Sequence, residues 1–225
     1  MAAAVATGLR LNVGCGSSLL PGFVNLDNSL TARLAQIPVL GQAFAALLQP
    51  AQRTFMARAR ANGIMSADAN QLPFPDRSVA LVYSSHMIEH LSRDEASTFL
   101  REAMRVLEPG GWLRVAVPDL SRLARDYVAG RLNANRFVEL TLLASERPRG
   151  ALERLKMAVV GPRHHLWMYD GTSLSRLLQD LGFQDVSVLP AGETGIPDPG
   201  TLDLSERENE SVYVEARKPG PAPRQ

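Results

Sequence analysis

A short apolar run ends abruptly in two closely spaced glycines: Leu11-Asn12-Val13-Gly14-Cys15-Gly16-Ser17-Ser18. A strand that stops on such a turn must reverse its backbone sharply, and it leaves the main chain open to a ligand because no Cβ stands in the way. Units of this kind open α/β folds, in which ligands bind beyond the carboxyl ends of parallel strands. The rest of the chain has the matching rhythm. Residues 9–13, 23–26, 79–84, 112–117, 184–189 and 211–216 read as short β-branched or apolar strands, separated by amphipathic helices. A mostly parallel sheet with helices on both faces follows from that alternation.

The helices carry their own punctuation. Ser92-Arg93-Asp94-Glu95 is a capping box, followed by Ala96, Phe99, Leu100, Ala103, Met104 and Leu107 on one face. Pro109-Gly110-Gly111 then breaks the helix. A second helix starts near Asp119 and stops at Gly130, and a third starts near Thr172 and stops at Gly182. Residues 29–63 read as a long helical insert after the second strand, and residues 133–160 add further helix. With 225 residues, no internal repeat and no linker, the chain reads as one domain over 1–217 with a frayed tail at 218–225.

Composition excludes several classes. A single cysteine forbids an internal disulfide framework and a four-cysteine zinc site. The formal net charge is +1 and aromatics are 6 %, with no basic stripe interleaved with them, so no nucleic-acid partner is expected. The longest apolar run, residues 43–48, is far short of the ~18 residues a membrane span requires. The first eight residues lack the basic start and apolar stretch of a signal peptide. Cytoplasmic residence is the resulting expectation, and the sequence says nothing about oligomeric state.

Two carboxylates follow the glycine turn. Asp27 closes the second strand, where a carboxylate can accept hydrogen bonds from both hydroxyls of a ribose; the alternative is a turn or helix cap before Ser29. Asp68, in Ser66-Ala67-Asp68-Ala69, can meet the exocyclic amine of adenine, or simply cap its loop. A dinucleotide fingerprint fits poorly, because Leu19 stands at the third glycine position and Asp27 arrives too early.

The ordered set Asn12-Val13-Gly14-Cys15-Gly16, Asp27, Asp68 with Leu72-Pro73-Phe74, and Glu102 with Arg105-Val106-Leu107-Glu108-Pro109-Gly110-Gly111 resembles the class I S-adenosylmethionine-dependent methyltransferases, closest to the type 11 branch. The similarity is strong over residues 9 to 120 and weaker beyond. It implies a Rossmann-like seven-stranded sheet, mostly parallel, whose last strand is antiparallel. It also implies S-adenosylmethionine as cofactor, held by Asn12, Gly14, Cys15 and Gly16 near the methionine and by Asp27 at the ribose. Asp68 and Ala69 would lie at the adenine, and Ser84, Ser85 and His86 beside the sulfonium. Asn12 departs from the acidic residue usual in the first motif, and residues 17–22 leave little room for the helix that normally follows the turn. A non-catalytic cofactor-binding protein is the alternative that these departures raise.

Two histidine clusters remain. His86-Met87-Ile88-Glu89-His90 matches the inverted zinc-protease motif, which needs both histidines on one helical face. Here the segment starts at a strand end and the next helix has its own cap, so no metal site is expected. His164 and His165, before Tyr169-Asp170, are candidates for a general base acting on an acceptor hydroxyl or amine, with Asp119 a further candidate at the same rim. Asp119 has a second reading as the cap of the helix it precedes. The acceptor itself is not written in the sequence; a small molecule, a sugar or a lipid-linked intermediate fits the composition.

Overall fold

The computed structural model describes residues 8–29, 32–33, 63–143 and 164–220. Most of the expected insert at 29–63, part of the 133–160 region and the last five residues lie outside them.

Seven strands form one sheet in the order β3-β2-β1-β4-β5-β7-β6. These are β1 (Leu9–Val13), β2 (Val24–Asp27), β3 (Met65–Ser66), β4 (Val79–Ser85), β5 (Leu107–Pro118), β6 (Gln184–Leu189) and β7 (Ser211–Arg217). β1, β2, β3, β4 and β5 pair in parallel, whereas β7 runs antiparallel to both β5 and β6. This is the Rossmann-like arrangement the family resemblance implied, with the antiparallel strand at the end of the chain.

The strand order reverses between β1 and β4. Connections from these neighbours leave toward opposite sides of the sheet, so a crevice opens beyond their carboxyl ends. Gly14 and His86 are the residues that follow β1 and β4 at that point.

The core follows from the apolar spacing. Helix α1 (Arg93–Val106) buries Ala96, Phe99, Leu100, Ala103 and Val106 against the sheet. Each fully buried Leu or Phe contributes about 1.5–3 kcal/mol relative to exposure. Ser92 caps the helix as expected, accepting from the Glu95 amide at 3.3 Å while Glu95 accepts from the Ser92 amide at 2.8 Å. The Pro109-Gly110-Gly111 stop is displaced, however. α1 ends at Val106 and β5 begins at once at Leu107, whose pairing with Val79 precedes a register shift. The glycines therefore lie inside a strand, where they produce an irregularity rather than a loop.

Three further helices complete the described chain: α2 (Leu120–Val128), α3 (Ala134–Thr141) and α4 (Gly171–Asp180). Asp119 caps α2, Asn133 caps α3, and Asp170 forms a capping box with Ser173 at α4. No helix among the described residues is long and apolar enough to cross a membrane.

Candidate cofactor and active site

Between β1 and β2 the chain makes turns only, with no helix. A parallel pair joined this tightly needs its connection fastened from within, and two buried asparagines do it. The Asn12 side-chain amide donates to the Ser18 carbonyl and to Asn25 Oδ1, both at 2.8 Å. Asn25 Oδ1 also accepts from the Leu20 amide at 2.9 Å, while its Nδ2 donates to the Leu20 and Phe23 carbonyls. An aspartate at position 12 could not donate these bonds. The unusual residue in the first motif and the missing helix are thus two sides of one arrangement.

The turn itself bends on Gly14 and Gly16, at φ +72° and +48°. A Cβ on Gly14 would collide with the Met87 side chain, whereas a Cβ on Gly16 would meet nothing within 4 Å. One glycine is there for packing, and the other leaves space for a ligand. The Gly14 and Cys15 amides both donate to the Leu26 carbonyl, at 2.9 and 3.0 Å. Cys15 is buried, and burial pushes its thiol up to about 12, so it stays protonated and serves as a small filler.

Asp27 ends β2 as expected and ties the turn to it. Its Oδ2 accepts from the Gly16 amide at 2.9 Å and its Oδ1 from the Ser29 amide at 2.8 Å. A carboxylate offers about four lone-pair positions, so each oxygen retains capacity for a further donor. The rim aspartate Asp68 accepts from the Asn70 amide through Oδ1 at 2.9 Å.

These groups converge on one cleft of about 400 Å³. Gly14, Gly16, Asp27, Asp68, Ala69 and His86 all line it. Asn70, which sequence reasoning missed, lines it too and has a buried side-chain oxygen with no hydrogen-bond partner. The loop that carries Asp68 is anchored by the motif residues of α1. Glu102 accepts from the Leu72 amide at 2.9 Å, and Arg105 Nη2 and Nη1 donate to the Leu72 and Phe74 carbonyls, both at 2.9 Å. Glu102 and Arg105 therefore position the cleft wall without lining the cleft. An open glycine, a carboxylate with spare acceptor capacity and an unpartnered amide oxygen fit a nucleoside-bearing cofactor.

A smaller polar pocket of about 160 Å³ adjoins the other side of the turn, lined in part by Asn12, Cys15, Ser85 and His86. Two residues from the long loop before β7, Glu206 and Arg207, also line it. Glu206 accepts from the Tyr83 hydroxyl at 2.7 Å and from the Ser18 hydroxyl at 3.0 Å. Arg207 Nη1 lies 3.2 Å from His86 Nδ1, and His86 Nε2 lies 2.8 Å from Ser211 Oγ. A guanidinium only donates, so Nδ1 accepts and the proton sits on Nε2, which donates to Ser211. Burial, reinforced by Arg207, brings His86 down to about 3, so the ring is neutral. Ser84 is fully buried and lines neither cavity.

His86 and His90 do not share a helical face. His86 takes a left-handed backbone at φ +49°, and Ile88–His90 is a single 3-10 turn. The two histidines are therefore not held on one helical face, as the zinc-protease motif requires. Yet Glu89 and His90 meet His165 from the segment before α4, and one ligand atom of each lies within 4.8 Å of the others. His165 Nε2 stands 4.0 Å from Glu89 Oε1, and its Nδ1 donates to the Thr141 carbonyl at 2.8 Å. Burial lowers the His165 pKa and raises Glu89 to about 7.

The other base candidates lie elsewhere. His164 contributes its backbone carbonyl, which accepts from His90 Nδ1 at 3.1 Å. Asp119 accepts from the Ser121 amide at 2.9 Å as the cap of α2, and it lines a separate open hollow with Arg125 and Asp170. His164 thus meets the cleft residue His90 through its backbone only, whereas the His165 side chain packs against it, with ring centroids 5.0 Å apart.

Comparison with known proteins agrees with this fold. Residues 11–115 match the methyltransferase domain family, type 11. No curated protein matches the sequence. Among solved structures, an S-adenosylmethionine-dependent methyltransferase from Mesorhizobium loti is 21 % identical, with 94 % of this chain and 92 % of that one covered at a TM-score of 0.50. A second from Thermotoga maritima is 16 % identical, with 96 % and 84 % covered and the same TM-score of 0.50. These likenesses concern the fold, whereas the family match spans the glycine turn, both carboxylates and the α1–β5 motif. Residues 11–115 therefore carry a methyltransferase domain of the type 11 family, and the chain is an enzyme whose methyl donor is S-adenosylmethionine.

Proposed function

We propose that this enzyme methylates a small-molecule acceptor, sugars and lipid-linked intermediates included, at the cleft between the glycine turn and His90. The observation that carries the reading is the convergence of Gly16, Asp27, Asp68 and His86 on one cleft at the point where the strand order reverses. When bound, the cofactor supplies a methyl group already activated by the sulfonium charge. The protein's task is to hold donor and acceptor in line at near-attack distance and to keep water away.

Asp27 takes the ribose hydroxyls through its spare acceptor positions, and Asp68 with Asn70 takes the adenine amine. Ala69 packs beside the base. Asn12 and Cys15 shape the turn from beneath. Arg207 takes the methionine carboxylate in the small polar pocket, in place of a helix N-terminus between β1 and β2. Ser85 and neutral His86 form the wall next to the sulfonium, and Ser84 supports them from the core. At the acceptor end, His165 serves where a base is needed, because its Nδ1–H is committed to Thr141 and Nε2 is left as acceptor.

A small acceptor is favoured over nucleic acid by the charge balance of +1 and by a cleft small enough for the cofactor to fill most of it. Incubation with methyl-labelled cofactor and a panel of small hydroxyl and amine compounds, sugars, lipid-linked sugars, RNA and protein tests this. Label is expected on a member of the small-molecule, sugar or lipid-linked groups. Label on RNA or protein alone would contradict the proposal.

A further inference from the structure

We infer that Glu89, His90 and His165 bind a divalent first-row transition metal on the wall of the cofactor cleft, with a coordination position left open. The inference rests on the proposed acceptor site and deepens it.

Glu89 is wholly buried, and neither carboxylate oxygen has a hydrogen-bond partner. An unpartnered carboxylate inside a protein is strongly disfavoured unless a proton or a cation neutralises it. His86 does not: its Nδ1 lies 3.5 Å from Glu89 Oε1, but the ring is neutral and already accepts from Arg207. Around Glu89, the ring of His90 and the ring of His165 each commit Nδ1–H to a backbone carbonyl, His164 at 3.1 Å and Thr141 at 2.8 Å. In the neutral tautomer these bonds select, Nε2 is the acceptor on both rings. A hydrogen-bonded Nδ1–H is how proteins fix the tautomer and orientation of a metal-ligating histidine.

The segment holding His165 is itself latched to Glu89. The Glu89 carbonyl accepts from the Leu166 amide at 2.7 Å and from the Trp167 amide at 3.2 Å. The ligand atoms lie within 4.8 Å of one another. Ligands bonded at ~2.1 Å around a tetrahedral ion stand about 3.4 Å apart, so small side-chain rotations close the site. Two imidazoles and one carboxylate suit Zn²⁺, Fe²⁺ or Co²⁺ rather than the oxygen-seeking Mg²⁺ and Ca²⁺. Three protein ligands leave a position for water or an acceptor oxygen. His90 belongs both to this cluster and to the cofactor cleft. A cation here would therefore serve acceptors that present an oxygen donor, and His165 would act through the metal instead of taking the proton itself.

The test uses Co²⁺ as the spectroscopic probe, added to the chelator-treated full-length protein. Wild type should show visible d–d bands at one equivalent, and azide should shift them by entering the open position. Glu89→Gln, His90→Ala and His165→Ala should each weaken Co²⁺ at least tenfold, given the ~10–100-fold cost of removing even an outer-shell partner. Circular dichroism melts check that each variant is folded, and Glu89→Gln keeps the shape should the histidine variants not fold. Absence of Co²⁺ binding by wild type would overturn the inference, as would binding that folded variants leave unchanged. Bands insensitive to azide would overturn the open position. S-adenosylhomocysteine affinity, measured in parallel, reports on the cofactor cleft separately.

Discussion

Arg114 and Glu215 meet wholly inside the protein, Nη1 to Oε1 at 2.6 Å, directly opposite each other on β5 and β7. The pair also organises the loop before β7. Arg114 donates to the Glu193 and Leu204 carbonyls, both at 3.0 Å, and Glu215 accepts from the Thr194 hydroxyl at 2.6 Å and the Gly195 amide at 2.7 Å. Glu206 and Arg207, which close the polar pocket, belong to the same loop.

Removing one partner leaves the other charge buried and unpaired, which costs about 3–5 kcal/mol. Glu215→Gln should lower unfolding free energy by that amount in urea titrations. A loss under about 1 kcal/mol would show that the loop is fastened by other contacts.

The two glycines of the turn should separate stability from binding. Alanine at either pays about 1–2 kcal/mol for left-handed backbone. Gly14→Ala adds a collision with Met87 and should be the less stable of the two in thermal melts. Gly16→Ala finds open space and should remain the better folded while losing affinity for S-adenosylhomocysteine. Equal stability for both would contradict this division.

Asn12→Asp restores the acidic residue usual in the first motif, yet it should destabilise the protein. A carboxylate there would face the Ser18 carbonyl and Asn25 Oδ1, both acceptors. Turning Asn25 over would instead strip the Leu20 amide of its partner. A loss of at least about 2 kcal/mol is expected in chemical unfolding. Unchanged stability would show that the amide network is dispensable.

Glu102 gives a pH dependence of defined sign. Hydrogen bonds from Arg105, with the Leu72 amide adding to them, hold its carboxyl below the ordinary value of 4.5. Its contribution is present in full above that value and is lost as pH falls through the lowered one. Melting temperatures of wild type and Glu102→Gln should therefore differ by a constant amount near neutrality and converge in acid. A gap that widens on acidification would contradict the assignment.

Local chemistry made much of the fold legible. The Ser92 cap, the α1 face from Ala96 to Ala103 and the strand at 184–189 need only neighbours in sequence, and each formed as read. Asp27 and the glycine turn were legible because a ligand-facing turn demands particular residues. Contacts made across the chain were not. Nothing near Asn12 announces Asn25 as its partner, and Arg207 reaches His86 only because β7 returns antiparallel beside β5. Pro109-Gly110-Gly111 reads as a stop in one dimension but is carried inside β5 by pairing with its neighbours. His165 came to Glu89 through the latch of the Leu166 and Trp167 amides, a backbone contact that leaves no trace in residue type.

Calorimetry with S-adenosylhomocysteine on wild type and Asp27→Ala tests the cleft around Asp27 most directly. Wild type should bind at micromolar or tighter concentrations, and the variant, still folded by circular dichroism, should lose at least tenfold in affinity. Equal affinity in the two proteins would contradict the placement of the ribose at Asp27 and, with it, the cofactor site described here.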